Sequence, residues 1–297
     1  MKSKNAGGHL AALITILVWG VTYISTKVLL TDFKPIEILF IRFVIGTVVL
    51  FIVHPKLTKL VSIKQELIFA AAGLSGICLY YLLENIALTY TFASNVSVIS
   101  TIAPFMTAIV AKVFFRSKEK LHARFFVGFG IAMVGICLIS FNGTKFSLSP
   151  KGDVLALLST VAWAFYSNIT KKVGEFGYNT IVSTRKTFIY GIIFMIPAMV
   201  LFDFHLGLGR FTNPTYLFNI LFLGLGASAL CFASWNYSIK IIGVMKSSVY
   251  IYLIPVVTVV ISMFVLGEKI TVLSGVGIVL ALTGLILSEK RTGRNKR

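Results

Sequence analysis

The sequence predicts an all-α integral membrane protein of ten transmembrane helices, arranged as two inverted five-helix repeats. Three observations predict it. Hydrophobic residues make up 57% of the 297 positions and charged residues 13%, where a soluble domain carries about 25% charged residues. Apolar runs of membrane-spanning length recur from end to end. The second half also repeats motifs of the first in the same order.

A spanning helix needs about 20 mostly apolar residues. Such runs fall at 10–30, 36–53, 67–89, 93–115, 124–141, 152–170, 181–202, 215–238, 244–266 and 271–288. The first is longer than the apolar region of a signal peptide. It also lacks a small-residue cleavage site, so it reads as a retained helix. The runs leave no segment for a soluble domain, and the mean hydropathy of +0.91 agrees.

The net charge of +18 would suggest nucleic acid in a soluble protein, but its distribution gives a different reading. With the N-terminus inside, the inner loops collect Lys56, Lys59, Lys64, Arg116, Lys118, Lys120, Arg124, Lys171, Lys172 and the basic tail. The outer side keeps Lys34, Lys145, Lys151, Arg210 and Lys269. This is the positive-inside bias. It places the chain in the cytoplasmic membrane with both termini cytoplasmic, in contact with lipid and without a nucleic-acid partner. Cys78, Cys137 and Cys231 lie in apolar runs without metal-ligand spacing and read as packing residues.

The repeat is legible in pairs. Trp19, Thr26 and Lys27 align with Trp163, Thr170 and Lys171 at one offset, 144. Asn85 aligns with Asn236 and Pro104 with Pro255 at 151; Glu119–Lys120 aligns with Glu268–Lys269, and Gly135 with Gly284, at 149. The repeats are bounded as 1–145 and 146–297. Five helices is an odd number, so the second copy enters the membrane from the opposite side. Inverted repeats put a substrate site near the midplane between the halves.

Tryptophan and glycine in "ILVWGVTYISTK", Pro35 and Arg42 in "FKPIEILFIRF", and the stretch "IPVVTVVISMFVLGEKIT" carry a resemblance. They resemble the EamA-type transporters of the drug/metabolite transporter superfamily, over nearly the whole chain. "FFRSKEK" departs from the pattern, lacking the glycine before Glu119. The resemblance implies two inverted five-helix repeats, a central cavity and movement of small metabolites. It implies no cofactor. Coupling to protons or another ion, and the oligomeric state, are left open.

Glu84 and Asn85 interrupt the apolar "LYYLLENIALTY". At 1.5 Å per residue, Glu84 lies roughly 25 Å from the inner edge of its span, and Arg42 roughly 9 Å from the outer edge of its own. Their depths match, so Arg42 is the expected charge partner. Glu84 reads either as a structural pair or as a carboxylate that takes a proton or an amine. Trp19 and Trp163 fall near the midplane, away from the interfaces that membrane tryptophans favour. Trp19, Thr22 or Tyr23, and Thr26 share one helix face, as do Trp163, Tyr166 or Ser167, and Thr170. Two such faces line a cavity or simply pack. Tyr80, Tyr81, Tyr237 and Tyr250 are further candidate walls. Asn85 and Asn236 are read as interhelical hydrogen bonders or substrate contacts, and Pro104 and Pro255 as mid-helix bends able to act as hinges.

These features weigh against an enzyme. His9, His54, His122 and His205 are scattered, and no phosphate-binding G-x-x-x-x-G-K-[ST] occurs. The expected function is a secondary transporter of small molecules, with amino acids or their derivatives, outward, favoured by the resemblance. Uptake of an organic cation such as a quaternary amine, through an aromatic site with Glu84, is the alternative. An integral membrane enzyme is less favoured.

Overall fold

A computed structural model describes residues 2–56, 62–91, 93–117, 122–140, 149–258 and 272–289. Glu119–Lys120, Glu268–Lys269 and the basic tail after Glu289 lie outside them. The described residues are helical, with no strand among them. They form α1 (Lys2–Leu29), α2 (Pro35–Val53), α3 (Ile63–Tyr90), α4 (Ala93–Ser100), α5 (Ala103–Val113), α6 (Ala123–Ser140), α7 (Pro150–Glu175), α8 (Thr180–Leu201), α9 (Pro214–Ile242), α10 (Val244–Thr258) and α11 (Val272–Glu289).

The helix ends follow from local chemistry. α2 opens on Pro35, whose missing N–H is not needed in a first turn. Glu37 then reaches back to accept from the Lys34 backbone N–H at 3.0 Å. Asn179 and Asn213 cap α8 and α9 by accepting from Ile181 and Thr215. α9 stops where Gly243 adopts φ +89°, a conformation open to glycine.

Among the described residues, α1, α2, α3, α8 and α9 are each long and apolar enough to cross a membrane; α5, α6, α10 and α11 are shorter apolar helices. The outer surface carries residues such as Leu10, Ile52, Val200 and Val279, as a lipid-facing surface should. α7 is the polar exception. It buries Ser159, Thr160, Ser167, Asn168 and Thr170, because it packs against α3 and α5 on its flanks.

Two features depart from regular helices. α3 widens into a π-helical stretch at Gly73–Leu79 and α9 does so at Phe222–Leu230. The fourth apolar run is broken between Ser100 and Ala103, and α10 contains a 3-10 turn at Tyr250–Leu253. Pro104 and Pro255 are therefore not mid-helix bends as expected. Each sits in the first turn after an interruption, where proline removes no helical hydrogen bond.

Candidate functional site

The centre of the bundle is aromatic. The Trp19 ring lies 5.2 Å from Trp163 and 5.3 Å from Trp235, and Trp163 lies 5.9 Å from Trp235. Phe232 joins this group, 5.7 Å from Trp19 and 5.7 Å from Tyr166. The two tryptophans aligned in the sequence thus meet edge to face, and Trp235 and Phe232 complete the cluster. Those last two were missed because their segment reads as ordinary apolar helix; the shared face of Phe232, Trp235 and Asn236 on α9 was the available signal.

The π-helical stretches position the cluster. Trp19 Nε1 donates to the Ala227 carbonyl, within the wide turns of α9, at 3.0 Å. In α3, Tyr166 lies flat against Gly76, where a Cβ would come within 2.1 Å of the ring. Gly224 likewise admits Ile45 of α2. The indole nitrogens of Trp163 and Trp235 are buried without a hydrogen bond among the described residues.

Glu84 is buried beside this cluster. Its Oε1 accepts from Tyr80 at 2.6 Å and from Tyr23 at 3.3 Å. The Tyr80 ring stands 4.9 Å from Trp163. Trp19, Tyr23, Tyr80, Thr160, Trp163 and Ile254 bound a small lumen of about 20 Å³. That is room for about one water molecule.

The expected Arg42–Glu84 pair is not formed. Arg42 donates from Nε to Ser228 at 3.0 Å, and its guanidinium lies over Tyr81 at 4.4 Å. Depth alone could not reveal this, because it says nothing about which side of a helix a residue occupies. Other expected lining residues stand apart as well. Asn85 donates weakly to the Pro35 carbonyl at 3.4 Å. Tyr250 bonds His9 at 2.7 Å. Tyr237 is 39% exposed and borders an open vestibule of about 500 Å³ with Asn179, Thr180 and Lys240. Asn236, by contrast, does join the centre. It accepts from Tyr166 at 2.7 Å and donates to Thr184 at 2.9 Å. It also borders a second small cavity that reaches Lys240 and Thr180, which line the vestibule too.

Both ends of the bundle carry polar ties between early and late parts of the chain. At one end, buried Glu37 accepts from Arg210 at 2.8 Å and from the His205 backbone at 3.1 Å. Arg210 also covers Phe33 at 4.0 Å. Lys34 holds Asp203 at 2.6 Å and keeps that carboxyl below its usual range. At the other end, Glu66 pairs with Lys186 and accepts from Tyr190 at 2.6 Å. Tyr178 donates to Gln65 at 2.9 Å, and Arg185 donates to the carbonyls of His54 and Lys56.

An all-helical bundle with a lipid-facing apolar surface and a polar, aromatic centre defines a multi-pass membrane protein. The model of the EamA-like transporter family matches residues 6–141 and again 150–289. The chain belongs to the EamA-like transporter family. It is similar to an uncharacterized transporter of Archaeoglobus fulgidus, 26% identical over 97% of this chain and 99% of that one. It is also similar to a probable terminal-alkyne amino-acid exporter of Streptantibioticus cattleyicolor, 26% identical over 97% of this chain and 95% of that one. A solved crystal structure shares the fold with a TM-score of 0.75 at 17% identity, covering 95% of this chain and 97% of the other.

Proposed function

We propose that the protein is a secondary transporter that exports amino acids or their derivatives across the cytoplasmic membrane by alternating access. In this reading it has ten spans in two inverted repeats, 1–145 and 146–297, with both termini cytoplasmic. The successive matches of one family model support the repeat. So do the π-helical stretches and the helix breaks, which recur about 150 residues apart.

One observation carries the mechanism. A small aromatic lumen with no room for a metabolite lies in a bundle whose described residues form interhelical ion pairs at each end. In this reading, release of one set of ties opens a path to Glu84, Trp19 and Trp163 from one side, while the set at the opposite end holds. The vestibule beside Lys240 is the inner approach in this orientation.

The test is efflux from cells or proteoliposomes preloaded with labelled neutral amino acids. Protein-dependent efflux is expected, and its absence across aliphatic and aromatic amino acids would overturn the substrate class. A second reading, uptake of an organic cation, draws on the Trp19, Tyr23, Tyr80 and Trp163 rings around Glu84, since aromatic faces attract quaternary ammonium groups. Choline accumulation abolished by Glu84→Gln, with amino acids ignored, would favour it.

A further inference from the structure

Arg42 and Glu84 are buried charges in the same aromatic centre, and neither serves as the other's hydrogen-bond partner. We infer that they receive the two ends of a zwitterion: Arg42 binds the carboxylate of an α-amino acid, and Glu84 with its tyrosines binds the ammonium. This inference rests on the amino-acid reading above and deepens it.

Arg42 carries the first half of the argument. It is 1% exposed, and its Nη2 is buried without a hydrogen bond among the described residues. The hydroxyl of Ser228 takes its Nε–H. Its guanidinium carbon lies over the rings of Tyr81 and Phe43, at 4.4 and 5.3 Å. These rings accept no in-plane hydrogen bond, and the guanidinium fork fits a carboxylate with two parallel hydrogen bonds. Glu84 acts on it only through space, and burying a guanidinium without a hydrogen-bonded anion is unfavourable. A substrate carboxylate would remove that penalty.

Glu84 supplies the complementary half. Both of its hydrogen bonds fall on Oε1, which leaves Oε2 for an ammonium. Tyr80 and Tyr81 stand edge to face at 4.6 Å and connect the two charges. Tyr80 and Tyr23, the residues that hold Glu84, also wall the lumen with Trp19 and Trp163. Opening the lumen would expose a cationic edge and an anionic edge on either side of the Tyr80–Tyr81 pair. A zwitterion satisfies both and adds no net charge to the bundle.

The experiment uses the full chain in proteoliposomes and three labelled probes. These are phenylalanine, phenethylamine, which lacks the carboxylate, and 3-phenylpropionate, which lacks the ammonium. Wild-type protein is expected to move phenylalanine in preference to both analogues. Arg42→Gln should lower phenylalanine transport by about 10- to 100-fold, the worth of a charge-assisted hydrogen bond, and spare phenethylamine. Glu84→Gln should do the reverse, sparing 3-phenylpropionate. Arg42→Lys, which keeps the charge without the fork, should fall between wild type and Arg42→Gln, and it covers the case in which the glutamine variant does not fold. Equal loss of phenylalanine and phenethylamine in Arg42→Gln or Arg42→Lys would overturn the assignment and leave Arg42 a structural residue. Wild-type protein that moves none of the probes, or phenethylamine alone, would overturn the amino-acid reading and the assignment with it.

Discussion

Trp235 stands in the sequence register that Glu84 occupies in the first half, so the two halves place different chemistry at one position. Its indole N–H is buried without a hydrogen-bond partner among the described residues, as is that of Trp163. A buried donor left bare costs about 1–3 kcal/mol. Trp163→Phe keeps a ring and removes that donor. Thermal unfolding in detergent should show little loss of stability, while efflux falls if the N–H meets substrate during the cycle. Gly76 poses the opposite constraint. Gly76→Ala drives a methyl into the Tyr166 ring and should destabilise the protein by about 1–3 kcal/mol, read as a lowered Tm. Composition could flag Trp19, Trp163, Tyr23 and Glu84 as out of place in a span, and they do converge. It could not separate Asn236, which joins the centre, from its counterpart Asn85, which does not. Their surroundings differ through neighbours far away in the chain: Tyr166 and Thr184 in one case, Pro35 in the other.

The helices themselves were legible because a lipid-spanning helix has a length and composition that few soluble helices share. Their interruptions were not. A π-helical stretch uses the same apolar residues as the α-helix around it, and the gain that selects it, such as Trp19 bonding Ala227, comes from another helix. The prolines were visible, yet their position within a helix depends on where the preceding turn stops. Since Pro104 and Pro255 lie in first turns, Pro104→Ala and Pro255→Ala should leave thermal stability nearly unchanged. They allow the interrupted segments to join, so transport should slow several-fold in the efflux assay. The ties at the ends make a further prediction. Glu66→Gln removes the anion from Lys186 and should raise the reactivity of a cysteine placed at Ser183, which borders the small cavity below Asn236. Glu37→Gln should leave that cysteine protected, because it loosens the opposite end. If both variants expose Ser183→Cys equally, the two ends do not open independently.

At the scale of the whole molecule, charge, apolar length and repetition specified a multi-pass helical protein, and the resemblance carried by motifs such as "IPVVTVVISMFVLGEKIT" pointed to the EamA-like family. Which helices surround the lumen follows from packing. α7 is the least apolar of the long helices, and its polar residues Ser159, Thr160 and Ser167 are buried where it packs on its neighbours, so their polarity reports position. Arg42 and Glu84 show the same limit from the other side. Their equal depth was readable, but their azimuth was set by α9, which supplies Ser228 to one and not to the other.

The last described helices of the two halves meet through glycines, as α3 and α8 do at Gly73 and Gly191. α6 and α11 approach through glycines, so that a Cβ on Gly284 would fall 2.5 Å from the Gly128 carbonyl, and one on Gly135 2.6 Å from the Gly277 carbonyl. Main chain here rests on main chain, flanked by short contacts from Ala132 and Ser288. Such a seam resists shear but tolerates a small rotation about its own length. In the proposed alternating-access cycle such a seam serves as an axle for the other helices, and a leucine at Gly284 would jam assembly before it touched turnover.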